Sequence, residues 1–362
     1  MLTIQPPFIG KYFSNNSKIT SKNVFFKSFY LSWEDALWHV LKVYNFKKGS
    51  VVMVPQFYCG NVVEHMVEHG LKVVTYPVDK YLVTKNKIFR QILLKTKPSI
   101  VIVFHPVGIQ NMLIKNHKQW ASALPAKTVL IEDCVHQIID PKSIRFINKR
   151  HLFIDSLRKV VPVQGSFVYS RQKLPDISGW QNFITLPYRV GVFVLWIIMQ
   201  INLIQAHFSK SKNLEKLFNK LAEISMLTGY KLIGSNRLAS PGIFFMKKIS
   251  EKINITLIKK SKILQAKIYK TKIKHLLKTG KFWLPKISKS DYSNLRGFPL
   301  IIDISMAYKF LNYMRASGVF LRFELNDSAW SAGQKIVYLP MGLHVSSADV
   351  SLIIKLINGF KS

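Results

Sequence analysis

Residues 128–170 read TVLIEDCVHQIIDPKSIRFINKRHLFIDSLRKVVPVQGSFVYS. Three apolar runs stand in this stretch: Thr128–Asp133, His151–Ser156 and Ser166–Ser170. Upstream, Val51–Pro55, Lys72–Val78 and Ser99–Pro106 repeat the pattern, with helix-length amphipathic segments between them. Near-continuous Val/Ile runs separated by helices indicate βαβ units, and so an α/β domain with a mostly parallel sheet covered on both faces. In such sheets ligands bind beyond the carboxyl ends of the strands. The polar residues there are the candidates for chemistry: Tyr58 and Cys59, His105, Glu132 and Asp133, and Ser156 to Lys159.

After Ser170 the pattern changes. Residues 187–233 read as helical and contain the apolar run Val190–Ile204. That run falls short of the roughly 20 residues a spanning helix needs. Phe193, Trp196, Ile197 and Ile201 are its expected lipid-inserted face on an anionic membrane surface, with His207, Lys210, Lys212, Lys216 and Lys220 following. The competing expectation is a core helix or a dimer contact. Lys259–Lys289 carries no carboxylate, and Ile258, Ile263, Leu264, Ile268, Ile273 and Leu277 recur near helical spacing, as in an amphipathic helix with a basic outer face. Strand-like stretches follow at Phe298–Ile304, Val319–Phe323 and Lys335–Leu339, then a last helix at Ser347–Gly359. The division expected is a large domain over 1–244 and a small α+β domain over 245–362.

The chain of 362 residues has 53 Lys+Arg against 18 Asp+Glu, a formal charge of +35. With 48% hydrophobic and only 20% charged residues it is no disordered polycation. Two cysteines, Cys59 and Cys134, build no disulfide framework and suit a reducing compartment. The first residues lack the basic and apolar regions of a secretory signal. No RNP-like aromatic motif, paired CxxC or recognition-helix signature accompanies the basic excess, so nucleic acid is not the expected partner.

His65-Met66-Val67-Glu68-His69 matches HxxEH, an inverted zinc-protease motif. Val62, Val63, Met66 and Val67 give that helix an apolar face, which leaves both histidines on a solvated polar face; no metal site is expected. P-loop, GxGxxG and GxSxG motifs are absent.

The order Glu132-Asp133-Cys134-Val135-His136, then Ser156-Leu157-Arg158-Lys159, then Gln164-Gly165-Ser166 resembles the DegT/DnrJ/EryC1/StrS sugar aminotransferases, pyridoxal-phosphate enzymes of fold type I. VPQFYCGNVVEHMVEHGLKVVTYPVD is similar to that family's opening segment, and GFPLIIDISM and IVYLPMGLHVSSADV are similar to its closing ones. The resemblance covers nearly the whole chain apart from roughly 175–240. It implies pyridoxal 5'-phosphate linked covalently to Lys159, with Asp133 facing the pyridine nitrogen and keeping it protonated. It further implies His136 supporting the ring or its 3' oxygen, Ser156 on the phosphate, and Tyr58 or Cys59 against the ring. A nucleotide-linked keto-sugar, an amino-acid donor, a homodimer with shared sites, a role in bacterial surface-polysaccharide assembly and a cytoplasmic location follow from the same likeness. Asn236, Arg237 and Arg322 are candidate substrate contacts.

The family's small turn, S/T-G-x-x-A-L, whose amides approach the cofactor phosphate, is matched by Ser32-Trp33-Glu34-Asp35-Ala36-Leu37. Here Trp33 and two carboxylates replace the glycine that lets a dianion come close. The alternative reading that follows is a catalytically degenerate member, acting as a basic scaffold or partner-binding protein at a membrane surface.

Overall fold

A computed structural model describes residues 2–14 and 25–360. Twelve strands are described: β1 (Leu2–Thr3), β2 (Phe26–Tyr30), β3 (Val51–Pro55), β4 (Lys72–Tyr76), β5 (Ile100–Phe104), β6 (Val129–Cys134), β7 (His151–Asp155), β8 (Ser166–Ser170), β9 (Phe282–Trp283), β10 (Phe298–Asp303), β11 (Val319–Phe320) and β12 (Gln334–Leu339). The seven-stranded sheet has the order β2-β8-β7-β6-β5-β3-β4. β3 to β7 run parallel, while β8 is antiparallel to both β7 and β2. All six runs read from the sequence are strands of this sheet. β2 was not among them, because Phe26-Lys27-Ser28-Phe29-Tyr30 lacks the continuous aliphatic character of a central strand.

The main helices are α1 (Trp33–Val43), α2 (Gly60–Glu68), α3 (Asn86–Thr96), α4 (Met112–Lys115), α5 (Gly179–Ile184), α6 (Leu186–Phe208), α7 (Lys212–Leu232), α8 (Phe244–Ser250), α9 (Ile255–Lys272), α10 (Lys274–Leu277), α11 (Ile304–Ala316) and α12 (Ser347–Gly359). A second sheet, β12-β10-β9, is antiparallel and packs with α9, α11 and α12. The N-terminal residues run over this C-terminal part. β1 pairs in parallel with β11, and Tyr12 Oη lies 2.6 Å from His344 Nδ1.

Three expectations need correction. Val190–Ile204 extends into the 23-residue helix α6, because Pro187 sits at its first turn, where the missing amide costs nothing, and Gln205–Phe208 continue the helix. α6 is long and apolar enough by length and composition to cross a membrane, yet Val192, Trp196, Met199 and Leu203 are buried against the protein. Of the face expected to enter lipid, only Ile201 is exposed. Trp196 is buried, with Phe193 and Ile197 packed beside it against a core of Leu157, Val163 and Phe167.

The basic segment is not one helix to Lys289. α9 ends at Lys272, and Thr279-Gly280 turns the chain into β9. Its inward face is Ile258, Lys262, Gln265, Ala266 and Tyr269, whereas Leu264 and Ile268 are exposed. In the last domain, the strand expected to run through Phe323 ends at Phe320.

Candidate active site

Beyond the carboxyl ends of β3, β5, β6 and β7 lies a cavity of about 380 Å³. Strand alternation decides what reaches it. On β6, Glu132 points to one face of the sheet and Asp133 to the other, as successive residues of a strand must. Glu132 takes hydrogen bonds on the far side from His105, 2.8 Å away, and lies 3.0 Å from His151. Despite its burial, these two histidines hold its carboxyl down at about 2. His105, Glu132 and Cys134 cluster closely enough to hold an ion. However, His105 Nδ1 accepts from Asn111 N–H and His151 Nδ1 from Ile147 N–H, so the histidine lone pairs are already used.

Asp133 lines the cavity. Tyr58 Oη donates to its Oδ2 at 2.7 Å, and the Val135 amide donates to Oδ1 at 3.1 Å. Burial pushes its carboxyl up to about 6, with Tyr58, Val135 and Lys159 pulling it down. Lys159 lines the same cavity from the short helical turn after β7. Its Nζ makes no hydrogen bond or ion pair among the described residues. The turn closes back on Gly165, whose carbonyl accepts from Leu157 N–H. Gly165 has φ +139°, and a Cβ there would sit 2.2 Å from the Phe29 ring, so glycine is required. Ser156, the residue before that turn, also lines the cavity.

His136 is fully buried at the cavity wall, and burial holds its imidazole down at about 3. Its Nδ1 accepts from Val107 N–H at 3.2 Å, and its Nε2 lies 3.2 Å from Arg296 Nη1 and 3.5 Å from Glu324 Oε1. Cys59 lines the cavity with its thiol pushed up to about 11 by burial, which argues against a nucleophile. Trp33 and Glu34, at the start of α1, line it as well, and Glu34 Oε2 is buried with no hydrogen-bond partner.

Ser32 does not line the cavity. It is the N-cap of α1, accepting from Asp35 N–H and donating to Asp35 Oδ2. Asn236 and Arg237 are also elsewhere: Arg237 lines a separate cleft with Trp38 and His69, and Asn236 lies near Ser240. Arg322 is in the cavity wall. The HxxEH pair is divided, with His65 at the cavity and His69 stacked on Trp38 at 3.9 Å; Val67, expected on the buried face, is 55% exposed.

Several groups in the wall carried no sequence motif. α7 contributes Glu223, Leu227 and Tyr230, and the segment between β11 and β12 contributes Glu324 and Asp327. Arg296 donates to Glu324 Oε1 at 2.7 Å, and Arg322 Nη2 lies 3.7 Å from Oε2. Although burial opposes it, these arginines hold the Glu324 carboxyl well below its usual range. Burial raises the Tyr230 phenol, but Arg158, with its guanidinium 4.4 Å from the ring, together with Arg322, Lys159 and Arg296, brings it down to about 7.

No protein-family model matches the chain, and no curated protein does. Solved structures do match. The sugar aminotransferase CalS13 from Micromonospora echinospora is 12% identical, over 99% of this chain and 100% of that one, with a TM-score of 0.58. A putative sugar aminotransferase, Spr1654 from Streptococcus pneumoniae in its PLP form, is 10% identical over 98% and 97%, with a TM-score of 0.59. NtdA from Bacillus subtilis, with bound cofactor PMP, is 12% identical over 92% and 72%, with a TM-score of 0.56. The fold is therefore that of the fold-type-I pyridoxal-phosphate transferases.

Proposed function

We propose that this chain is a pyridoxal-phosphate-dependent aminotransferase that moves an amino group from an amino-acid donor to a nucleotide-linked keto-sugar for bacterial surface-polysaccharide assembly. The observation that carries the reading is an unpartnered Lys159 amine in one cavity with the buried carboxylate of Asp133, at the strand ends where the fold binds ligands. When bound, the cofactor supplies an aldehyde for the lysine amine and a ring that accepts electron density as a substrate carbon loses its proton.

The donor set fits such a group at its ring. Asp133 accepts one hydrogen bond on each oxygen and keeps lone pairs for a protonated ring nitrogen. Tyr58 fixes that carboxylate and favours its charged form. Lys159 Nζ is the base that takes a proton from the substrate carbon and returns it. His136, neutral and pinned by Val107 and Glu324, supports the ring side of the cavity. At the phosphate end, Ser156, Arg158 and the start of α1 are the available donors, with Glu34 opposing them. Arg322, held beside Glu324 in the cavity wall, would face the anionic part of the substrate. We assign the two units as residues 1–244 and 245–362, place the enzyme in the cytoplasm, and read it as a homodimer on the strength of the family likeness.

The test is direct. The protein is loaded with pyridoxal 5'-phosphate, reduced with borohydride, digested and mapped by mass spectrometry. The label is expected on Lys159 and lost in Lys159→Ala, together with amino transfer to a keto-sugar nucleotide. A label on another lysine would overturn the assignment. A protein that takes up no cofactor would favour the degenerate, partner-binding alternative.

A further inference from the structure

The α6–α7 hairpin carries an exposed aliphatic stripe along its outer face. Between Arg189 and His207, α6 has no charged residue at all, in a chain of net charge +35. Its outward positions Val190, Val194, Ile198 and Ile201 are 41–51% exposed. On α7, Leu217, Leu221 and Ile224 are 40–51% exposed. Some polar and small residues lie on the inside, beside the buried Val192, Trp196, Met199 and Leu203. Asn202, Asn219 and Ser225 are buried, and each donates to the carbonyl four residues earlier on its own helix. Gly229 is buried in the seam and Gly191 lies within reach of Leu232, so the backbones approach closely. Water-facing helices put apolar residues inside and charges outside. Small residues within the seam and aliphatic residues outside are the pattern of helices whose outer face meets lipid.

α6 does not span a bilayer in this fold. Its other face is packed on the protein along its length: Val192 against Leu31, Trp196 edge-on to Phe8 at 6.1 Å, and Gln200 hydrogen-bonded to the Pro6 carbonyl. The apolar stripe can therefore meet only something lying alongside it. Basic residues border the stripe, with Lys210 and Lys212 at the hairpin turn and Lys216 and Lys220 along α7. Glu215 and Glu223, the acids of α7, are half-buried rather than exposed, and Glu223 lines the active-site cavity. An isologous pairing of two such faces would set these lysines against their own copies in two chains of charge +35. An anionic lipid surface complements both features at once.

We propose that the outer face of the α6–α7 hairpin is a peripheral docking surface that lies in the headgroup region of an anionic bilayer, with its aliphatic stripe inserted and its lysines on the lipid phosphates. Exposed Trp180 and Phe183, with ring centroids 6.2 Å apart just before α6, extend the stripe with the aromatic side chains that favour that boundary. The interaction does not depend on the amino-transfer chemistry, although α7 also supplies Leu227 and Tyr230 to the cavity wall.

The experiment uses the full chain with vesicles of phosphatidylcholine alone or mixed with phosphatidylglycerol, at low and high salt. Sedimentation with the mixed vesicles only, released by salt, is expected. The variant Val194→Gln/Ile198→Gln/Ile201→Gln, altered at exposed positions, should keep its thermal midpoint and bind roughly tenfold more weakly or worse. Lys216→Glu/Lys220→Glu should weaken binding with the stripe intact. The proposal is overturned if the parent fails to sediment with anionic vesicles, if neither variant changes sedimentation, or if light scattering shows the triple variant converting a dimer to a monomer, which would assign the stripe to a second copy.

Discussion

Tyr58→Phe removes one hydroxyl and keeps the ring that packs edge-on to Phe104 and Trp33. What it loses is the 2.7 Å hydrogen bond onto Asp133 Oδ2, between groups that are both buried. A hydrogen bond to a charged group is worth about 1.5–3 kcal/mol. At 1.36 kcal/mol per pKa unit, its loss should lift the Asp133 carboxyl from about 6 by roughly one to two units. Asp133 is raised above its unfolded value of 3.8, so the folded protein holds a proton there that the unfolded chain has released, and stability falls as pH rises from about 4 to about 6. In Tyr58→Phe that decline should continue to about pH 7–8. The variant's deficit relative to the parent should therefore be larger at pH 8 than at pH 4 by about 1.5–3 kcal/mol. Denaturant unfolding at the two pH values reads this without any cofactor, and the acid limb of kcat/KM should move up by the same interval. Equal deficits at both pH values, with an unmoved acid limb, would refute the coupling between Tyr58 and Asp133.

Two other perturbations test neighbouring parts of the argument. Trp33→Gly/Glu34→Thr removes a buried, unpartnered carboxylate oxygen from the cavity and restores a small residue at the start of α1. Fluorescence titration should show pyridoxal 5'-phosphate binding about tenfold tighter or more, and equal affinity would place the phosphate away from this turn. Lys262 is fully buried with its Nζ unpartnered; burial, then Arg296, brings it down to about 7 from 10.5. Its charged form therefore costs stability below pH 7, and stability recovers as pH rises towards 10.5. Lys262→Met should be stabilising at pH 6, with the gain shrinking by pH 9 in thermal unfolding, and a pH-independent gain would show that packing rather than charge is responsible.

Asp133 and Lys159 were legible because both sit at ends of strands whose Val/Ile runs are unmistakable, and strand order brings such ends together. Tyr230, Leu227 and Glu223 were not. They come from a helix whose own pattern says only that it is amphipathic, and they reach the cavity because the hairpin folds back over the strand ends. The Arg296–Glu324–Arg322 group was equally hidden, since its members, just before β10 and just after β11, become neighbours only when β12 pairs with β10 and holds Glu324 through Ile336. Asn236 and Arg237 lie outside this chain's own cavity, and the short Ser-Asn-Arg match carries no information about which cleft the chain enters after α7. An apolar run on a helix shows that one side is buried without saying which; for Trp196 the core alternative holds, since its contact with Phe8 places it inward.

The distribution of charge bears differently on the proposed chemistry and on the proposed docking surface. Among the described residues, the cavity wall holds five carboxyls, Glu34, Asp133, Glu223, Glu324 and Asp327, against three bases, Arg158, Lys159 and Arg322. The pocket of a chain with formal charge +35 is thus not itself basic. Its arginines act locally: Arg322 is tied to Glu324, and Arg158 lies over Tyr230. The surplus of lysines sits on outer surfaces, where each is solvated and screened within about 10 Å at moderate salt. Such charge does little at the reacting atoms, but it raises the local concentration of anything anionic at the surface. An extended anionic partner gains from many lysines at once, whereas a single small substrate meets only the few in the cavity. The catalytic reading therefore rests on the few groups around Lys159, and the proposed docking surface on the lysines beside the hairpin's aliphatic stripe.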